Sequence, residues 1–161
     1  MGVYLKVLWA PWRIEYIYAP KNVECFLCIY PKLNRDDELF ILKRGLHSYI
    51  VLNAYPYNNG HLMITPYRHV IYPNDLSKEE ILEVMDFISL SIDILKRAFS
   101  PDGFNIGVNI GKAAGAGVEH LHFHVVPRWF GDTNFMPILS EVKVIPQHIK
   151  STFESLKKFI K

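Results

Sequence analysis

Apolar and polar positions follow two rhythms along this chain, and the changes of rhythm mark out its elements. Three short apolar runs come first, over 39–42, 49–52 and 61–65. The second is the richest in β-branched and aromatic residues, and all three predict strands. Between the last two lies Asn53-Ala-Tyr-Pro-Tyr-Asn-Asn-Gly60, whose Asn59-Gly60 pair tolerates positive φ, so this stretch predicts a hairpin and an antiparallel sheet. The rhythm then changes. Ile81, Val84, Met85, Ile88, Ile92 and Leu95 recur at helical spacing behind Ser77-Lys-Glu-Glu80, which fits a capping box. This predicts one long helix starting near Ser77 and ending before Pro101. Runs over 103–110 and 119–126 return to strand character, separated by a Gly-rich loop. Ile149, Phe153, Leu156, Phe159 and Ile160, after Pro146, predict a closing helix. Hairpin-linked strands with two helices give the α+β class.

The bulk properties narrow the picture. With 161 residues, half of them apolar, the chain suits a single domain with a substantial core. A net charge of +2 argues against a long nucleic-acid-binding face but leaves room for a small phosphate pocket. No apolar run is long enough to span a bilayer. Trp9-Ala-Pro-Trp-Arg13 interrupts the N-terminal segment too early for a signal peptide, which reads as a cytoplasmic protein. Residues 9–20, rich in aromatics and prolines, read as an irregular arm packed on the domain or on a partner subunit. The only two cysteines, Cys25 and Cys28, form a Cys-x-x-Cys, which makes metal binding the first possibility to test.

His120-Leu-His-Phe-His-Val-Val126 carries the strongest chemical signal. On a strand, alternate side chains share a face. His120, His122 and His124 are then expected on one side, with Leu121, Phe123 and Val125 directed into the core. Three imidazoles in register serve no packing purpose. Two chemistries suit them: metal ligation by neutral imidazole, or nucleophilic attack by one ring nitrogen while the other is held by an acceptor. Spacing alone does not choose between them.

The alternating His-apolar pattern resembles the signature of the histidine-triad (HIT) superfamily. Flanking matches extend the resemblance over most of the chain, from about Trp9 to about Gln147. They are Asn53 with Gly60-His61, Asn109, Pro127-Arg128 and Gly131-Asp132. Trp9-Ala-Pro-Trp-Arg13, Tyr55-Pro-Tyr-Asn-Asn-Gly-His61 and Pro127-Arg-Trp-Phe-Gly-Asp-Thr-Asn-Phe-Met136 are most similar to the diadenosine-tetraphosphate phosphorylase branch. The resemblance implies a HIT-like antiparallel sheet and one domain over 1–161, with an arm over 1–24, a core over 25–147 and a helix over 148–161. It also implies a homodimer whose sheets join.

For chemistry, the resemblance implies that His122 attacks the α-phosphorus of a nucleotide. The resulting nucleotidyl-histidine is resolved by water or by phosphate. His124 would contact the α-phosphate or leaving oxygen, Asn109 the phosphate, and Asn53 the ribose. His61 would support the cluster. The loop Gly111-Lys-Ala-Ala-Gly-Ala-Gly117 would offer backbone N–H groups at Gly115, Ala116 and Gly117, with charge from Lys112. Many hydrolases of the superfamily carry a glutamine and a Ser or Thr where Ala116 and Gly117 stand, so backbone amides must substitute here. Similarity to branches that include the galactose-1-phosphate uridylyltransferases implies zinc on Cys25, Cys28, His69 and His120, a closed structural set.

The implied activity is cleavage of dinucleoside polyphosphates, foremost phosphorolysis of diadenosine tetraphosphate with inorganic phosphate as co-substrate. Hydrolysis of diadenosine polyphosphates or of nucleoside phosphoramidates stands beside it. A non-enzymatic, zinc-stabilised nucleotide-binding module and a metalloenzyme ligated by His61, His120, His122 and His124 are the readings of other classes. Trp129 is expected to line the second-nucleotide side, and Trp9 and Trp12 to pack at a dimer interface or domain edge.

Overall fold

The computed structural model describes residues 25–133 and 145–160. The arm over 1–24, with Trp9 and Trp12, and the segment over 134–144 lie outside the described residues. In chain order the elements are α1 (Phe26–Ile29), β1 (Ile41–Arg44), β2 (Ser48–Leu52), β3 (Leu62–Pro66), α2 (Lys78–Phe99), β4 (Gly103–Val108), β5 (Phe123–Arg128) and α3 (Ile149–Lys157). The strands form one antiparallel sheet in the order β1-β2-β3-β5-β4. The α+β class and the β2–β3 hairpin are as the sequence predicts.

One face of the sheet is covered by helices. Ile50, Leu52, Leu62, Ile64 and Val125 meet Val84, Phe87, Ile88 and Leu95 of α2 and Phe153 and Leu156 of α3. Helix α2 starts at a complete capping box. Glu80 N–H donates to Ser77 Oγ at 3.2 Å, and Ser77 N–H donates to the Glu80 carboxylate at 2.7 Å. It ends at Ser100, in the left-handed region with φ 46°, just before Pro101. The buried stripe differs from the predicted one. Val84, Ile88 and Leu95 are buried as expected, but Ile81 and Met85 are exposed, and Phe87, Ser91 and Ile94 are buried instead. Apolar residues ring more of this helix than the sheet can cover, so periodicity alone does not locate the edge of the contact.

The opposite face holds the chemistry. Cross-strand partners share a face. The pairs Tyr49↔Thr65, Val51↔Met63 and Met63↔His124 therefore place His124 on the side away from the helices, with His61 two residues before Met63. The β2–β3 turn closes at Gly60, where φ is +76°. A Cβ there would lie 2.9 Å from Leu95 Cδ2, so both backbone sign and space require glycine. The hairpin tip is tied to the end of β5. Asn58 Nδ2 donates to the Pro127 carbonyl at 3.0 Å and to Asp132 at 2.9 Å, and Arg128 Nε donates to Asp132 at 2.6 Å.

Candidate active site

The β5 ladder begins at Phe123, later than the predicted 119. His120 and His122 precede it on a stretch held by side bonds: Leu121 N–H donates to the Val70 carbonyl at 2.7 Å, and Thr65 Oγ donates to the Leu121 carbonyl at 2.9 Å. All three triad histidines are buried nonetheless. The His122 and His124 rings lie 4.7 Å apart, and the His61 and His124 rings 5.0 Å apart.

Each imidazole is given its tautomer by a partner that can only donate or only accept. His122 Nδ1 lies 2.7 Å from the carbonyl of His120, so Nδ1 carries the proton and Nε2 keeps its lone pair. A neutral ring with a bare Nε2 is the form a nucleophile needs. Burial lowers the His122 pKa and favours that neutral form. At His61, Nδ1 accepts from the backbone N–H of Tyr57 at 3.0 Å, which leaves the proton on Nε2. His61 Nε2–H then donates to His124 Nδ1 at 2.8 Å, so His124 in turn carries its proton on Nε2. Burial, and secondarily the neighbouring imidazoles, push His61 down to about 3 and His124 to about 4. Both rings are neutral near pH 7.

At the other end of the triad, His120 Nε2–H donates to the Pro66 carbonyl at 3.0 Å. Its Nδ1 is therefore bare, and it faces Cys25 Sγ at 3.2 Å and Cys28 Sγ at 3.3 Å. The one-turn helix α1 sets both sulfurs on one side, with Cys28 N–H bonded to the Cys25 carbonyl at 2.9 Å. His69 Nδ1 lies 3.4 Å from Cys28 Sγ. The ligand atoms of Cys25, Cys28, His69 and His120 all lie within 4.8 Å of one another. Two thiols and two imidazole nitrogens converging on one point match a closed tetrahedral zinc site in ligand type and reach.

The remaining predicted residues divide. Asn109, just past β4, comes beside the triad: its Nδ2 lies 3.4 Å from His124 Nε2 and 3.1 Å from Tyr57 Oη. Asn53 Nδ2 lies 3.2 Å from His61 Nδ1, and its Oδ1 accepts from Tyr55 N–H at 2.9 Å, so it shapes the turn as well as facing the cluster. In the Gly-rich loop before the triad a Cβ at Gly111, Gly115 or Gly117 would meet nothing within 4 Å, and Lys112 is exposed. Its amides are not equivalent. Ala116 and Gly115 N–H donate back to the carbonyls of Gly111 and Lys112, within the turn. Gly117 N–H takes no protein acceptor among the described residues. The turn itself consumes the other two, which spacing in the sequence does not reveal.

Trp129 lies just beyond the end of β5. It follows His124 by five residues, about 16 Å along an extended strand. Its indole N–H donates to the Phe99 carbonyl at the end of α2, at 3.2 Å. That bond satisfies the indole at the far end of the sheet. Conversely, Tyr57 is a residue of the site that sequence reasoning left unassigned. Its ring lies 4.6 Å from that of His61 and 5.4 Å from that of His124. The one available signal was its place in the motif between Asn53 and His61.

Comparison with known proteins agrees with this geometry. The family model described as HIT domain matches residues 36–131. The chain is 44% identical over 159 residues to a protein of Mycobacterium tuberculosis named AP-4-A phosphorylase, covering 92% of this chain and 80% of that one. It is 33% identical over 98 residues to the bis(5'-adenosyl)-triphosphatase of Dictyostelium discoideum, covering 61% of this chain and 64% of the relative. Among solved structures, a zinc-bound histidine triad family protein from Mycobacterium smegmatis superposes with a TM-score of 0.68 at 23% identity, over 84% of this chain and 92% of the other. These relatives are named as enzymes acting on nucleotides or share the fold alone. The chain belongs to the HIT domain family.

Proposed function

We propose that this protein cleaves dinucleoside polyphosphates through a nucleotidyl-His122 intermediate, with phosphorolysis of diadenosine tetraphosphate as its leading activity. The observation that carries the reading is the His122 ring. It is buried and neutral, with Nδ1–H held by its own neighbour's carbonyl and Nε2 bare. In the first displacement Nε2 attacks the α-phosphorus and the P–O bond to the remaining polyphosphate breaks. In the second, phosphate attacks the same phosphorus and the N–P bond breaks. The AP-4-A phosphorylase relative, matched over nearly the whole chain, supports phosphate as acceptor. Hydrolysis, supported by the shorter match to the triphosphatase, is the second reading.

The roles follow from position. His124 and Asn109 face the phosphate, Gly117 N–H and Lys112 border it, and His61 holds His124. Asn53 borders the same cluster beside His61, in keeping with a contact to the ribose. Cys25, Cys28, His69 and His120 would hold zinc, which when bound clamps α1 to the triad without entering the chemistry. His120 belongs to both systems: its ring faces the cysteines and its carbonyl orients His122. Trp129 keeps an anchoring role at the end of the sheet.

The organisation read from the sequence, one domain over 1–161, fits the continuous sheet. The dimer reading rests on β4, an edge strand whose Asn105, Ile106 and Gly107 are exposed and whose pairing with a second copy would extend the sheet. A cytoplasmic location accords with two cysteines that are not joined in a disulfide. No described helix is long and apolar enough to cross a membrane.

The deciding experiment is product analysis of diadenosine tetraphosphate with and without inorganic phosphate. ATP plus ADP appearing only with phosphate is the expected result. AMP plus ATP without phosphate would replace phosphorolysis by hydrolysis, and no turnover of any nucleotide would favour a binding module.

A further inference from the structure

Tyr57 touches every member of the His61–His124–Asn109 group, each through a different part of the residue. Its backbone N–H donates to His61 Nδ1 at 3.0 Å. Its ring lies over both imidazoles. Its hydroxyl lies 3.1 Å from the Asn109 carboxamide. The side chain is half-exposed, whereas His61 is fully buried and His124 nearly so, so this ring separates the pair from solvent.

The direction of the hydrogen bonds around this group is forced. The amide of Tyr57 can only donate, and that sets His61 Nε2–H, then His124 Nε2–H. The next contact is between His124 Nε2 and Asn109 Nδ2 at 3.4 Å. Two donors would then face each other. The O and N of a carboxamide are assigned by the bonds they make, so half a turn about the last side-chain bond resolves the conflict. Oδ1 then accepts from both His124 Nε2–H and the Tyr57 hydroxyl, and Nδ2 faces outward as a donor. His124 Nε2–H sets that orientation, and the Tyr57 hydroxyl, able to donate as well as accept, supplies the second hydrogen bond to Oδ1.

We propose that Tyr57 is a positioning residue of this site: through its amide it sets the proton of His124, and its hydroxyl joins that proton on Asn109 Oδ1, so that the carboxamide presents Nδ2 as a donor to the phosphate. This rests on the functional reading above and deepens it. His61 in this circuit has no spare proton to pass on, so His124 keeps its own, shared with Asn109 Oδ1, and Asn109 Nδ2 is the donor that faces the phosphate. The electrons of the broken P–O bond go to a polyphosphate that departs as an anion, and no proton transfer is needed. The site is thus matched to acidic leaving groups such as nucleoside polyphosphates.

The test combines nitrogen-15 imidazole spectra with a double-mutant cycle. In the protein as purified near pH 7, His61 and His124 should each show a protonated Nε2 and a bare Nδ1. The opposite tautomer at His124 overturns the proposal, whether or not any nucleotide is turned over. For the cycle, the single-turnover rate of nucleotidyl transfer from diadenosine tetraphosphate to His122 is measured in wild type, Y57F, N109A and the double variant. Loss of one hydrogen bond to a phosphate-facing group should slow Y57F about tenfold, with KM little changed. In the N109A background the same Tyr57→Phe change should cost less than about twofold, because its target is gone. An equal cost in both backgrounds, or none in either, overturns the proposal. A wild type that forms no nucleotidyl-enzyme at all overturns the functional reading instead, and the spectra still decide the tautomer.

Discussion

A single backbone acceptor decides what His122 can do. With the His120 carbonyl holding Nδ1–H, the ring has one free nitrogen, and burial keeps it unprotonated. His122→Ala should therefore lower kcat for diadenosine tetraphosphate by about 10³-fold or more, with mononucleotide affinity and melting temperature nearly unchanged. Steady-state rates and mass spectrometry of quenched reactions check this; a kcat within about tenfold of wild type would sink the nucleophile assignment. His61 makes a second prediction at this scale. Its folded pKa, about 3, lies below the ordinary value of 6.5 because burial opposes its charged form. The unfolded chain therefore binds a proton first as pH falls. The stability linked to this group is complete above about pH 6.5, declines below it and is lost by about pH 3. Thermal unfolding midpoints should fall over that window, and more shallowly in His61→Gln, which still offers an acceptor to Tyr57. The cysteine–histidine cluster is the same in both proteins, so parallel acid profiles would refute the assignment to His61.

At the scale of elements, the short α1 matters more than its single turn suggests. A helix this small has no stability of its own. It is held by Tyr49 Oη–H donating to the Leu27 carbonyl at 2.7 Å and by Leu27 in the core. Its two cysteines meet His120 and His69, from β5's approach and from the segment after β3. Metal analysis of the purified protein should find about one zinc per chain. Cys28→Ser should lower both zinc content and melting temperature, because metal bound only by the folded chain contributes directly to its stability. Folded wild-type protein prepared without chelator and free of zinc would remove the metal from the account.

For the whole molecule, β4, an edge strand among the described residues, is the feature that calls for a partner. Its exposed backbone and Ile106 would otherwise face water, an arrangement sheets generally cover or charge. Sedimentation velocity should show a species of two chains. Ile106→Glu, which sets two like charges near each other across a β4–β4 seam, should shift it to one chain while leaving the circular dichroism spectrum unchanged. A wild-type protein that sediments as one chain at high concentration would place the edge in some other use.

Much of this was legible in the chain itself. The capping box at Ser77, the Asn59-Gly60 turn, the stop before Pro101 and the alternating histidines are local signals, each acting within a few residues, and each appears where the sequence places it. The Cys₂His₂ set and the role of His122 were legible through resemblance, since spacing alone left metal ligation and nucleophilic attack equally open. What only the tertiary structure decided is which partner each group meets. The burial edge of α2 depends on how much helix the sheet covers, so Ile81 and Met85 lie outside it. Gly115 and Ala116 close their own turn, and Gly117 N–H takes no protein acceptor among the described residues. The indole of Trp129 is claimed by Phe99, thirty residues earlier in the chain. Tyr57 shares a motif with His61, but its contacts with His124 and Asn109 join segments that no sequence pattern links. Periodicity and turn chemistry are short-range and therefore written in the sequence; burial, and the partners that carry a hydrogen-bond circuit from His61 to His124 and Asn109, join segments far apart in the chain and exist only once it has folded.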